Sequence, residues 1–149
     1  MSDMREFLEA VRTHLRASLD GFRDSDIYVA PHVDFVPAEA RFPCLGIKDG
    51  RTGHEDLHDG TGRRISLEVQ VAVMLQILRS PDAAIMGSGD SPGLLDICER
   101  VRTALHRAEL PVQGLVECHV VEEEETALLD AGGKNILSRV LRIVAAVWR

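Results

Sequence analysis

An unbroken alternation of apolar residues between positions 65 and 77 limits the folds open to this chain more than any other feature. Every odd position in that stretch is apolar: Ile65, Leu67, Val69, Val71, Val73, Leu75 and Ile77. A repeat of two indicates a β-strand with one buried face, and at about 3.3 Å per residue it would span roughly 43 Å. Ordinary strands have only about five or six residues. So long a strand favours a subunit that reaches a neighbouring subunit over a small isolated domain.

The other face of this strand changes character along its length. It begins with Ser66, Glu68 and Gln70 and continues with Ala72 and Met74. We therefore expect the first half to extend beyond the body of the protein, as one arm of a hairpin with residues 44–48. We expect the second half to be covered on both faces, by helices on one side and by further protein on the other.

Composition excludes several classes of protein. The chain has 149 residues, of which 45% are hydrophobic, so we expect one globular domain over residues 1–149. The net charge of −7 argues against wrapping nucleic acid, because neutralising phosphates requires clustered lysine and arginine. An acidic protein can still line a channel through which a polyanion slides without sticking.

The cysteines and the apolar runs also bear on location. Cys44, Cys98 and Cys118 form no CxxC pair and each lies in an apolar pattern, which predicts buried reduced thiols. The segment after Met1 lacks a basic region followed by an apolar stretch, so we expect no signal peptide. No apolar run approaches the roughly 20 residues of a membrane span, and we expect no membrane association.

Periodicity and turn signals predict the remaining elements. We expect a helix over 4–19 with Ser2 or Asp3 as its cap, a short helical turn after Ser80, and a second main helix that opens at Ser91-Pro92 and ends at Leu110-Pro111. Residues 50–63 are predicted to form a polar loop, and Asp130–Lys134 a turn. Strands are predicted at 27–29, 44–48, 65–77, 116–123 and 137–148. These elements indicate an α+β fold: a mixed, mainly antiparallel sheet of about five strands, with two main helices packed on one face and a long projecting β-hairpin.

One catalytic motif occurs in the predicted loop. Residues 54–58 read His-Glu-Asp-Leu-His and match H-E-x-x-H, which in zinc peptidases places two imidazoles and a general base on one helix face. Here glycines surround the motif and only Leu57 is apolar, so a helix would be poorly supported. No spacing selects a third ligand from among His32, His106 and His119. We favour a solvated loop, with no metal and no cofactor, and retain a small zinc metallopeptidase using His54, Glu55 and His58 as an alternative.

Three further features remain open or are disfavoured. The carboxylates of Glu122–Glu125 are interpreted as a solvated edge or as one side of an intersubunit charge contact, with Arg63-Arg64 or Arg139 and Arg142 as the complement. The glycine-rich segment 87–93 precedes a helix but lacks a P-loop lysine, and its acidic neighbours would repel phosphate. Trp148 either closes the core or anchors a partner surface.

The order of these elements resembles the tail terminator, or tail-completion, proteins of long-tailed bacteriophages (the lambda minor tail protein U-like family). The likeness covers nearly the whole chain. It rests on the helix over 4–19, on the proline-started strand Arg41-Phe42-Pro43-Cys44-Leu45-Gly46-Ile47, on the long strand that begins at Ile65, on Ser91-Pro92-Gly93-Leu94-Leu95-Asp96-Ile97 continuing into Val101–Leu105, and on the final strand. The segment 50–63, rich in histidine and charge, aligns with no motif of the family.

The resemblance implies a structural virion protein without enzymatic activity, located at the head-proximal end of the tail and assembled in the host cytoplasm. Such proteins form a homo-oligomeric, hexameric ring that caps the tail tube protein, ends tube polymerisation and joins the head-tail connector protein. DNA passes through the lumen without sequence-specific binding. Another head-tail joining (neck) protein is the second candidate. On this reading the predicted contacts to the adjacent subunit or the tube are Arg51, His54, Glu55, Asp56, His58, Asp59, Arg63 and Arg64.

Overall fold

The computed structural model describes residues 2–57 and 60–149. In chain order the elements are α1 (Asp3–Ser18), a 3₁₀ turn (Asp24–Asp26), β1 (Ile27–Val29), β2 (Cys44–Asp56), β3 (Arg63–Gln76), α2 (Pro81–Met86), α3 (Leu94–Leu105), β4 (Leu115–Glu123), β5 (Ala127–Ala131) and β6 (Lys134–Trp148). Among the described residues, no helix is both long enough and apolar enough to span a membrane.

All the strands join one sheet, which confirms the predicted α+β fold. The strand order is β1-β2-β3-β6-β4, and β5 pairs with β6 beyond the end of β4. Among the described strands, β1 and β2 pair in parallel and all other pairs are antiparallel. The described sheet has six strands and not about five, since β5 was missed by the sequence analysis. β5 leads into the predicted turn, where Gly132 and Gly133 adopt φ values of 61° and 79°. These left-handed values suit glycine in a two-residue hairpin turn.

The main core lies between the helices and one face of the sheet. The odd-numbered face of β3 is buried there, as predicted, and Ile65, Leu67 and Val69 are no more than 1% exposed. Helix α1 contributes Phe7, Val11 and Leu15, and its first turn is capped by the Ser2 hydroxyl, which accepts a hydrogen bond from the Arg5 N–H at 3.1 Å. The predicted amphipathic face of this helix therefore packs on the sheet.

A second, smaller core covers the other face of the sheet at one end. Ala72 and Met74 are fully buried there, in a cluster with Tyr28, Ala30, Cys44, Ile136 and Val140. Side chains from the irregular segment 30–43 pack against this cluster. The second half of β3 is thus covered on both faces, as predicted, and the covering protein on the second face is the chain's own segment 30–43.

Asp26 fastens this covering segment to the body. It is 3% exposed, and its carboxylate accepts the Arg41 N–H at 2.8 Å and a guanidinium hydrogen bond from Arg23 at 3.0 Å. Burial by itself would raise the pKa of Asp26, but the hydrogen bonds from Arg23 and Arg41 outweigh it and hold the pKa below that of an ordinary aspartate. The same Arg23 guanidinium donates to the Glu39 carbonyl at 2.9 Å.

Helix α3 differs from the prediction at both ends. It begins at Leu94 and not at Ser91-Pro92, with Gly93 as its N-cap. The Gly93 N–H donates to the Asp96 carboxylate at 2.9 Å, which fixes the start of the helix here. The helix ends at Leu105, well before Leu110. Two residues later, Arg107 takes a positive φ of 63° and donates its N–H to the Cys118 carbonyl at 2.7 Å. Hydrogen bonding to β4 thus replaces the last predicted turn. The short helix α2 begins as predicted, with Ser80 as its cap.

The prediction of a polar loop over 50–63 is wrong for much of that segment, because β2 continues to Asp56. A register shift between Asp49 and Thr52 lets the strand keep pairing with β3 despite the glycines at 50 and 53. β3 in turn pairs with β6 from Arg64 onward, so its first half is an interior strand of the sheet. The hairpin is long, as expected, but the expectation that the first half of β3 projects beyond the body is wrong, because β6 pairs with it there. The exposed part of the hairpin is the β2 arm from residue 51 to 56, together with Arg63 at the start of β3.

Candidate functional site

The predicted contact residues lie together at one end of the sheet. Arg51, His54, Glu55 and Asp56 occupy the outer half of β2, where every residue from 51 to 56 is exposed. Arg63 and Arg64 begin β3 beside them and are exposed and half-buried, respectively. His58 and Asp59 lie outside the described residues.

The register shift in β2 decides which face each side chain occupies. Beyond it, Thr52, His54 and Asp56 pair with the odd-numbered residues of β3, whose side chains face the helices. Glu55 pairs with Arg64 and lies on the opposite face. Without the extra residue these two sets would exchange faces, because side chains alternate along a strand.

Trp148, Arg64 and Glu55 form a cluster on the face opposite the helices. The Arg64 guanidinium lies 3.9 Å from the Glu55 carboxylate, donates to the Ser66 hydroxyl at 3.0 Å and lies 6.0 Å from the centre of the Trp148 ring system. Trp148 is 47% exposed, whereas its neighbour Val147 is fully buried. Val147 therefore closes the core, and the half-exposed indole favours the other interpretation of Trp148, an anchor for a partner surface.

Residues 54–56 of the H-E-x-x-H motif lie in a strand and not in the helix that zinc peptidase chemistry needs. His54 and Glu55 are consecutive residues of β2, so their side chains project to opposite faces. Within the described ranges, 2–57 and 60–149, no three His, Cys, Asp or Glu residues are placed to hold a metal ion.

The histidines considered as third ligands have other partners. The rings of His106 and His119 contact each other edge to face at 5.5 Å, and His106 Nδ1 accepts the Val120 N–H at 3.1 Å. His32 accepts the Asp34 N–H. Among the described residues, none of the three belongs to a group with His54 that could hold a metal ion.

The acidic run divides into two halves. The Glu122 carboxylate lies 2.9 Å from the Arg142 guanidinium, and the Glu123 carboxylate lies 3.2 Å from that of Arg139. Arg139 and Arg142, which were predicted as possible partners in another subunit, thus pair with glutamates of the same chain. Glu124 and Glu125 make no ion pair with any residue in the described part of the chain, and an intersubunit role for them stays a prediction.

The three cysteines are free and buried, as predicted. Burial is the main cause that raises the pKa of Cys44 to about 11, that of Cys98 to about 12 and that of Cys118 to about 11. Because the reactive form of a cysteine is the thiolate, none of these thiols is prepared to act as a nucleophile.

Comparison with known proteins finds a likeness among solved structures. No protein-family model matches the chain, and no curated protein matches it. A solved structure described as the virion of a native gene transfer agent (GTA) particle contains a chain of similar fold, with a TM-score of 0.64 and 17% sequence identity over 100% of both chains. At that identity the likeness establishes a shared fold.

Proposed function

We propose that this chain is a structural protein of a phage-like virion, and within that class a tail terminator. In this role it forms a ring, hexameric in the family it resembles, on the end of the tail tube. The ring stops tube polymerisation and presents the surface that the head connector joins. The proposal assigns no catalytic step, metal or cofactor to the chain.

The observation that carries the proposal is the likeness to a chain of a GTA virion. It extends over the full length of both chains, so it concerns the whole fold and not one part of it. The sequence resemblance to tail terminators points to the same class of particle independently, since it rests on the order of elements and on residues such as Pro43 and Ser91.

The surface of the chain suits ring assembly. A ring requires two different complementary patches on each subunit. The exposed outer half of β2 with the Trp148 cluster supplies one patch of mixed charge and an aromatic anchor. A net charge of −7 also suits a lumen through which DNA moves without being trapped.

The decisive experiment compares particles produced with and without this chain. Negative-stain electron microscopy should show overlong tubes and heads without tails when the chain is absent. Tails of normal length that fail to join heads would instead support the neck-protein candidate. Normal, joined particles in its absence would overturn both.

A matched pair of variants tests whether the β2 surface makes the contacts. Arg51 and Arg79 are both exposed arginines, the first on β2 and the second just beyond the other end of β3. We expect Arg51→Glu to give overlong tails and Arg79→Glu to give normal ones. Equal behaviour of the two variants would remove β2 from the proposed contact surface.

A further inference from the structure

The edge of the sheet formed by β4 and β5 is protected along β4 only. Residues that follow α3 cover β4: the Cys118 carbonyl accepts the Arg107 N–H at 2.7 Å, the Cys118 N–H is accepted by the Ala108 carbonyl at 3.0 Å, and His106 accepts the Val120 N–H. β5 continues the same edge and has no such cover in the described part of the chain.

The backbone of β5 presents unpaired hydrogen-bonding groups on its outer side. The backbone groups of Asn135 in β6 point toward β3, because the Asn135 carbonyl accepts the Ile77 N–H at 2.9 Å. Asp130 is the β5 partner of Asn135, so its own N–H and C=O point away from β6, and the alternation of a strand gives Leu128 the same orientation.

β5 has five residues and one charged side chain, Asp130, and it lacks the stronger devices that prevent edge pairing. Its register with β6 is regular from 127 to 131, without a bulge, and the strand contains neither proline nor lysine. The Leu128 side chain is 66% exposed. An edge segment with unpaired backbone groups and an exposed leucine is a template for a strand from another chain.

A second open edge lies on the opposite side of the sheet, in the outer half of β2. β1 pairs only with Leu45–Ile47. The Leu57 N–H donates to the Gly62 carbonyl at 3.0 Å, so the backbone groups of Leu57 point toward the β3 arm. Because these directions alternate along a strand, the N–H and C=O groups of Thr52, His54 and Asp56 point away from β3.

We propose that β5 of one copy pairs with the outer half of β2 of the next copy, so that the sheet continues from subunit to subunit. This inference rests on the proposed ring. Two different edges on opposite sides of one sheet make a head-to-tail contact, which is the kind that closes a ring. Pairing of β5 with β5 of another copy would stop at a dimer.

Charge complementarity supports this choice of partner. Arg51 lies next to the open segment of β2, and Glu124 and Glu125 lie just before β5. None of the three makes an ion pair with a residue that the structure describes. Arg51 and Glu124 line one concave surface of the same chain, together with Glu122 and Arg142. The proposed contact brings Arg51 of one subunit toward Glu125, just before β5 of the next.

Engineered cysteines test the pairing in assembled particles. Asp130→Cys is combined with His54→Cys or with Thr52→Cys, because facing strand residues have Cα atoms about 5.5 Å apart, within reach of a disulfide. The native thiols are buried, so they give a low background. After oxidation, the doubly substituted chain should run on non-reducing gels as a ladder that ends at the closed ring, and each single substitution should run as a monomer.

Two results would overturn the inference, and a third would overturn the proposed function. Particles that contain the doubly substituted chains but yield no cross-link exclude the β5–β2 contact. Dimers from Asp130→Cys alone indicate self-pairing of β5. Particles from which the chain is missing altogether refute the proposed function instead, and so the two failures are distinguishable.

A charge substitution provides a second readout that needs no cross-link. Leu128→Lys places an ammonium group on the β5 edge, and we expect about a tenfold or larger loss of capped tubes, since burying an unpaired charge weakens binding. Val116→Lys is the matched control, because Val116 is 62% exposed on β4. Equal capping by both variants would contradict the inference, and thermal unfolding of each verifies the fold.

Discussion

At the scale of single residues, the cysteines show how burial decides chemistry. Cys118 donates its S–H to the Leu105 carbonyl at 2.9 Å, and the Sγ atom of Cys44 lies 3.6 Å from the Tyr28 hydroxyl. Both thiols act as small apolar groups that complete the packing of a core. The apolar pattern around each cysteine was enough to predict this role.

We predict that the thiols stay unreactive in the folded protein and that their burial makes stability depend on pH. The unfolded chain releases these protons near pH 9, whereas the folded chain holds them until about pH 11. Their contribution to stability is therefore complete below pH 9 and is lost as the pH rises through 11. Urea unfolding at a series of pH values, with thiol labelling, checks this. Rapid labelling of the native protein at pH 8 would contradict it.

At the scale of elements, backbone contacts decided where helices and strands end. Helix α3 ends at Leu105 because the chain turns to bond with β4, and β2 extends to Asp56 because β3 supplies a hydrogen-bonding partner. The connection before α3 is equally specific. A Cβ atom built on Gly93 would lie 2.2 Å from the Gly87 nitrogen, so this loop folds back on its own backbone.

We predict that Gly93→Ala destabilises the protein by about 1–3 kcal/mol, because the added methyl group forces the loop apart. Gly89→Ala is the matched control in the same loop, since nothing lies within 4 Å of a Cβ atom there. The measurement is the free energy of unfolding from urea titration. A Gly93→Ala variant as stable as Gly89→Ala would show that the loop adopts another path.

At the scale of the whole molecule, the sheet has two unequal covers. The helices cover one face, whereas segment 30–43 covers only one end of the other face. The uncovered part of that face carries charged residues and Trp148. Core and assembly surface therefore share one sheet, with the boundary set by the reach of segment 30–43.

We predict that Met74→Ala destabilises the protein by about 2–5 kcal/mol and loosens segment 30–43, because Met74 is fully buried beneath it. Hydrogen exchange of the backbone amides in 30–43 should increase, while amides in α1 and α3 keep their relative protection. Gln76→Ala, a half-buried position on the same face of β3, is the control. Uniform acceleration of exchange over the whole molecule would contradict separate covers.

The sequence foretold features that depend on local patterns. Alternation along 65–77 identified the strand and its buried face, and Ser2 and Ser80 marked two helix starts through their capping chemistry. The local pattern did not reveal β5, although the apolar run Ala127-Leu128-Leu129 leads into the hairpin turn at Gly132-Gly133. Five residues are too few to show a period.

The amino-acid sequence by itself determined the α+β class, the apolar faces and the burial of the thiols, because these follow from side-chain periodicity along one segment. Only the tertiary structure decided that residues 51–56 form a strand, that segment 30–43 covers one end of the second face, and that β5 and the outer half of β2 have no strand partner on their outer sides among the described residues. Those outcomes depend on hydrogen bonds and packing between segments far apart in the chain, and local side-chain patterns do not encode which partner each backbone group finds.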